Sequence, residues 1–239
     1  MFEWLSDPNA WVAFLTLCAL EIVLGIDNII FISILSGKLP AEQQTKARQT
    51  GIALALVLRL GLLFSIQWIM SLTATLFSVA GQDITGRDLI LVSGGLFLIY
   101  KAVKEIHHKF EKAADKDNSK NSKSLTFAAV IAQILIVDLV FSLDSVITAV
   151  GMVNDISIMV SAVVISVAVM LLSAKGISDF VQKHPAIKVL ALAFLVMIGT
   201  TLIAEGVGYH FPKGYVYVSM LFAVSVEFIN IRLDVRNKS

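Results

Sequence analysis

Charged side chains are scarce in this chain. Only 15% of its 239 residues are Asp, Glu, Lys or Arg, against 57% hydrophobic, and mean hydropathy is +0.83. A soluble domain carries about 25% charged and about 45–50% apolar residues, so a soluble protein is excluded and an integral membrane protein is indicated. Cysteine is scarcer still. Cys18 stands alone, which excludes an intramolecular disulfide and reads as a small buried hydrophobe. The sequence lacks a P-loop, a dinucleotide-binding glycine fingerprint and a nucleophile motif. ATP-driven transport by this chain alone and enzymatic chemistry are therefore not expected, nor is a prosthetic group or a nucleic-acid partner. The N-terminus lacks the basic stretch of a cleavable signal and carries Glu3 and Asp7 instead. The apolar run behind them is too long for a signal core and reads as a retained first helix.

What is present is a series of apolar runs, near the roughly 20 residues that a helix needs to cross a bilayer. Seven qualify: Trp11–Leu35, Gly51–Leu72, Asp88–Val103, Leu125–Val150, Ile156–Lys175, Ile187–Val207 and Tyr215–Ile231. The fold class expected is an all-α membrane protein forming a single membrane domain over 1–239. The stretch 105–124, rich in Lys, Asp, Asn and Ser, reads as a solvated cytoplasmic loop. Seven spans with the N-terminus outside and the C-terminus inside put nearly all of the 19 Lys and Arg residues on the inner side. The exceptions are Arg87 and Lys213 outside and Arg59 within a span. That asymmetry is the one insertion imposes, and it indicates a multi-pass membrane protein with its N-terminus outside.

Against this apolar background two segments stand out. Glu21-Ile-Val-Leu-Gly25-Ile-Asp27-Asn28 and Asp138-Leu-Val-Phe-Ser142-Leu-Asp144-Ser145 each put two acids inside a spanning run. In each, a small residue precedes the second acid by two positions and a small polar residue follows it. An ionisable group at membrane depth costs about 2.5 to 3.5 kcal/mol on insertion scales. Four such groups cost on the order of 10 kcal/mol if simply summed, a burden that points to function.

The same sequence distance separates Glu21 from Asp138 and Asp27 from Asp144. Each motif opens a group of three runs, and the third runs also match: Gly95-Leu-Phe-Leu98-Ile99 resembles Gly199-Thr-Thr-Leu202-Ile203. Three spans is an odd number, so the two groups face opposite ways. The expected architecture is two inverted three-helix repeats, 10–104 and 125–208, plus a seventh helix at 214–232. Transporters built this way bind their cargo near the midplane, at the repeat interface.

On a straight helix two acids six positions apart differ by about 9 Å of rise and about 120° of rotation. Gly25, and more weakly Ser142, would allow a helix break that turns both acids to one spot and frees carbonyl oxygens. Joined at a pseudo-twofold axis, the motifs supply four carboxylates, the Asn28 amide and the Ser145 hydroxyl. That oxygen-rich set, without histidine or thiolate, suits Mg²⁺, Ca²⁺ or Mn²⁺ rather than Zn²⁺ or Cu⁺. Four close carboxylates cannot all stay ionised in an empty site, so metal binding would release protons and metal–proton exchange follows. Arg59 could balance the surplus negative charge or extend to the interface. Gln133 reads as interhelical glue or pathway lining, and Glu205 as an interfacial group or a pathway residue.

With both motifs in view, the chain resembles the TerC family of multi-pass membrane proteins, from Ala10 to Arg232. The resemblance implies export of Mn²⁺ as substrate, with Glu21, Asp27, Asn28, Asp138, Asp144 and Ser145 as ligands or proton carriers. The partners expected are the lipid bilayer, the metal ion and protons, and the oligomeric state is open, with a homodimer among the arrangements. Two other readings use the same residues. One is a membrane accessory protein without flux, holding a structural ion at the acids. The other is a small-molecule exporter with the acids as proton relays.

Overall fold

Asp7 begins the first long helix. Its carboxylate accepts from the Asn9 amide at 2.9 Å, and Pro8 takes the first turn, where no amide proton is needed. The computed structural model of the chain describes residues 3–79, 82–114, 126–153, 155–209 and 211–237, and the side chains of Asp27 and Gln67 lie outside the described residues. After a 3-10 turn at Glu3–Ser6 come α1 (Pro8–Ser36), α2 (Ala41–Phe64), α3 (Ile66–Ser71), β1 (Thr75–Val79), β2 (Gln82–Thr85), α4 (Gly86–Ala114), α5 (Phe127–Met152), α6 (Ile156–Lys183), α7 (Pro185–Gly206) and α8 (Lys213–Asn237).

A helix covers each of the seven expected positions. Among the described residues six are long and apolar enough to cross a membrane: α1, α2, α5, α6, α7 and the Gly214–Leu233 part of α8. The helix at the remaining position, α4, is not one of them.

Three expectations are corrected and one is extended. The second run does not continue to Leu72 as one helix; it breaks at Ser65, whose amide donates to the Gly61 and Leu62 carbonyls before α3 begins. The mostly helical fold agrees with the all-α expectation and adds a two-stranded ribbon of β1 and β2, where Thr75, Phe77 and Val79 favour extended backbone. The stretch from 105 is helical as far as Ala114, because its Lys, Glu and Ala residues are strong helix formers whatever their polarity. The rest of that predicted loop, through 124, lies outside the described residues. Finally, α1 runs unbroken through Gly25 and α5 through Ser142.

The helices group into two compact units, and each unit draws on both sequence halves. The first takes residues 1–76 and 123–180, the second 77–122 and 181–239. In the first unit α5 packs on α1 and α2, around the fully buried Ile29, Leu63, Val130, Ile134 and Val137. The helix α6 lies along α1, where the Ser166 hydroxyl donates to the Cys18 carbonyl at 3.4 Å.

In the second unit α4 starts in a reciprocal cap. Asp88 accepts from the Thr85 amide and hydroxyl at 2.9 and 2.7 Å, while the Asp88 amide donates to the Thr85 hydroxyl. The helices α4 and α7 cross closely at glycines. A Cβ on Gly95 would fall 2.5 Å from the Gly199 carbonyl oxygen, and one on Gly199 would fall 2.8 Å from the Gly95 carbonyl oxygen. Ile203 lies over Gly95 as Ile99 lies over Gly199, and Gly206 meets the Asp88 carbonyl, so the pair runs antiparallel. Small residues permit this approach where apolar burial gives membrane helices little drive to associate.

Candidate functional site

The buried stripe of α2 includes Gly51, Ile52, Ala55, Arg59, Leu62 and Leu63. Arg59 therefore points into the first unit, not toward an interface, and is only 4% exposed. Its guanidinium meets the first acid of each motif. Arg59 Nη1 donates to Glu21 Oε2 at 2.5 Å, Nη2 to Asp138 Oδ1 at 2.7 Å, and Nε to Asp138 Oδ1 at 3.1 Å. Glu21 on α1 and Asp138 on α5 hold equivalent positions in the two motifs, so one arginine joins the halves. Both acids are buried. In such surroundings a carboxylate is retained only when paired and hydrogen-bonded.

Asp138 carries further donors. Asn28 Nδ2 reaches its Oδ1 at 3.3 Å, and the Ser142 hydroxyl reaches its Oδ2 at 3.1 Å. Glu21, Gly25 and Asn28 follow one another at four and three positions, so they share a face of α1. Asn28 Oδ1 is buried and has no hydrogen-bond partner among the described residues. An amide oxygen shut away from water without a donor is costly, and the Nδ2 of the same amide bonds Asp138.

Gly25 does not break α1. A Cβ there would lie 2.6 Å from the Met170 sulfur of α6, so the missing side chain leaves a slot for Met170 between Glu21 and Asn28. Asp144 is buried on α5, six positions after Asp138 and about 120° round the same straight helix. Ser145 donates to the Ser142 carbonyl at 3.3 Å within α5. Asp27 continues α1, and its side chain is outside the described residues. Gln133 bonds back to the Ala129 carbonyl at 3.1 Å. Glu205 belongs to the second unit, where Arg87 Nη2 lies 3.7 Å from its Oε2.

The structure thus brings Glu21, Asn28, Asp138 and Ser142 to one place with Arg59 at its centre. Sequence reasoning missed Met170, which had no signal beyond an apolar helix. It also missed Arg48, buried on the same stripe as Arg59 and donating to Ser178 at 2.8 Å; the spacing of eleven, close to three turns, was the available sign.

The donor set fits a hard cation in kind: carboxylate oxygens and an unpartnered amide oxygen. It does not form a ready cage, since among the described residues no three His, Cys, Asp or Glu side chains gather to hold a metal ion.

Comparison with known proteins identifies the family. Residues 6–239 match the family described as "Integral membrane protein TerC family". A "UPF0053 protein" of Haemophilus influenzae is 54% identical over 233 residues, covering 98% of each chain. The "UPF0053 inner membrane protein YgdQ" of Escherichia coli is 51% identical over 238 residues, covering 100% of this chain and 98% of the relative. The "UPF0053 inner membrane protein YoaE" of Escherichia coli is 51% identical over 228 residues, 95% of this chain but 44% of that longer protein. No solved structure matches.

Proposed function

The chain belongs to the TerC family of integral membrane proteins, and from that premise we propose that it carries a hard divalent cation, foremost Mn²⁺, outward across a bacterial inner membrane in exchange for protons. The observation that carries this reading is the convergence of Glu21 and Asp138 on Arg59, with the unpartnered Asn28 Oδ1 beside them. Buried acids in apolar helices are retained for ion pathways far more readily than for stability, which replacing the whole ion pair, Arg59 included, by packed hydrophobic residues would serve as well. Asp27, Asp144 and Ser145 complete the proposed pathway, with Gln133 as its outlying member.

In this reading seven helices span, N-terminus outside and C-terminus inside, with α4 as the span that composition alone does not single out. The back-to-back contact of Gly95 with Gly199 supports an inverted repeat, because antiparallel helices crossing at equivalent residues are related by a twofold axis perpendicular to both. Enzymatic chemistry and a prosthetic group have no part in it, and the cation is cargo. Cells overproducing the protein should hold less Mn²⁺ than control cells when grown in excess Mn²⁺. An unchanged or higher content would contradict outward transport.

A further inference from the structure

Asp138 is saturated. A carboxylate offers about four lone-pair sites, and this one already receives five contacts. Its Oδ1 accepts from Arg59 Nε, Arg59 Nη2 and Asn28 Nδ2, and its Oδ2 from Arg59 Nε and Ser142 Oγ. Glu21 is held by the same guanidinium. A metal ion has no free oxygen of Asp138 to bind while Arg59 stays in place, and a dication set beside a guanidinium meets strong like-charge repulsion at low dielectric.

We infer, on the strength of the transport reading, that Arg59 is the site's own tethered cation: its guanidinium and the divalent ion occupy the Glu21–Asp138 pair in turn, never together. Three observations converge on this. The guanidinium bridges equivalent acids of both motifs, which is where an ion shared by the two halves would sit. Among the described residues there is no preformed cage of acids, as expected of a site whose centre an arginine fills. And Asn28 Oδ1 is buried without a donor among the described residues, an oxygen of no use to Arg59 as it stands but a ligand for an incoming cation. Arginine suits the role because it cannot shed its charge. The site is emptied or filled by moving the side chain, and in an empty carrier its two acids stay bridged by one fixed positive charge.

The test is Mn²⁺ binding by calorimetry to the purified full-length protein in detergent, native against Arg59→Gln and Arg59→Ala, each checked by circular dichroism. Removing the competitor should tighten Mn²⁺ binding at least tenfold. Free guanidinium ion at low millimolar concentration should weaken Mn²⁺ binding to Arg59→Ala and leave the native protein unchanged. Arg59→Lys keeps the charge but loses the fork that spans both acids, and should bind with intermediate affinity; it carries the test if the neutral variants do not fold. Variants that bind Mn²⁺ no tighter than the native protein, with guanidinium without effect, would overturn the inference while leaving transport standing. Absence of Mn²⁺, Mg²⁺ and Ca²⁺ binding in native protein and variants alike would overturn both.

Discussion

Gly95 and Gly199 lie back to back, each so near the other's carbonyl oxygen that neither has room for a Cβ. The obstruction on both sides is backbone, which cannot swing away as a flexible side chain can. Gly95→Ala or Gly199→Ala should therefore lower stability by about 1–3 kcal/mol, the range for overpacking a close contact. Thermal melting in detergent reads the effect, and an unchanged melting temperature in both variants would refute the crossing.

Gly25 sets up the opposite case, because its obstruction is the Met170 thioether. Methionine adapts to irregular space, so Gly25→Ala should cost only about 1 kcal/mol, at the low end for overpacking. Combining it with Met170→Ala should show positive coupling in a double-mutant cycle, since residues in contact are not additive. Strict additivity would mean that Met170 does not occupy the Gly25 slot.

Asp138 gathers Arg59, Asn28 and Ser142. Asp138→Ala strips three buried donors of their acceptor at once and should destabilise the protein by about 3–5 kcal/mol, as when one partner of a buried ion pair is removed. Leu or Met at Asp138 should do no better, because Arg59 stays charged. Denaturation monitored by tryptophan fluorescence would show the loss; a midpoint equal to the native one would contradict the arrangement.

Asp155 precedes α6, and its carboxylate accepts from the Ser157 hydroxyl and amide at 2.7 and 2.8 Å. The Ser157 hydroxyl, with the Ser157 amide behind it, holds the Asp155 carboxyl below the ordinary carboxylate range. Its folded value being depressed, its capping contribution is present above the ordinary value and fades as pH falls through the lower folded one. Asp155→Ala should lose about 0.5–2 kcal/mol at neutral pH, the range for an N-cap, toward its low end for so exposed a group. The difference from the native protein should shrink in strong acid. A difference independent of pH would assign the effect to something other than the charged cap.

Much of this was legible in the sequence. Apolar runs placed seven helices, and the shared spacing of Glu21 with Asp138 and of Asp27 with Asp144 pointed to the pair that Arg59 joins. The match between the Gly95 and Gly199 segments is expressed as a reciprocal contact. Other features were hidden for identifiable reasons. Glycine serves both a helix break and a close approach, and only the arrival of Met170 from another helix decides which Gly25 provides. An arginine in an apolar run either extends to an interface or turns inward, and only the burial of Arg59 on one stripe with Gly51 and Ala55 decides between them. Hydropathy measures fitness for the membrane, not helicity, so the polar continuation of α4 to Ala114 read as loop. The grouping of α1 and α2 with α5, and of α4 with α7, depends on contacts between distant segments that no local pattern encodes.

The claim that a cation passes along these acids is tested most directly by Mn²⁺ flux into and out of proteoliposomes under an imposed pH gradient. The native protein would be compared with Asp27→Asn and Asp144→Asn, all three shown to be folded. The account predicts flux in the native protein that follows the pH gradient and falls at least tenfold in both variants. Absence of Mn²⁺ flux in the native protein, or undiminished flux in both variants, would contradict it.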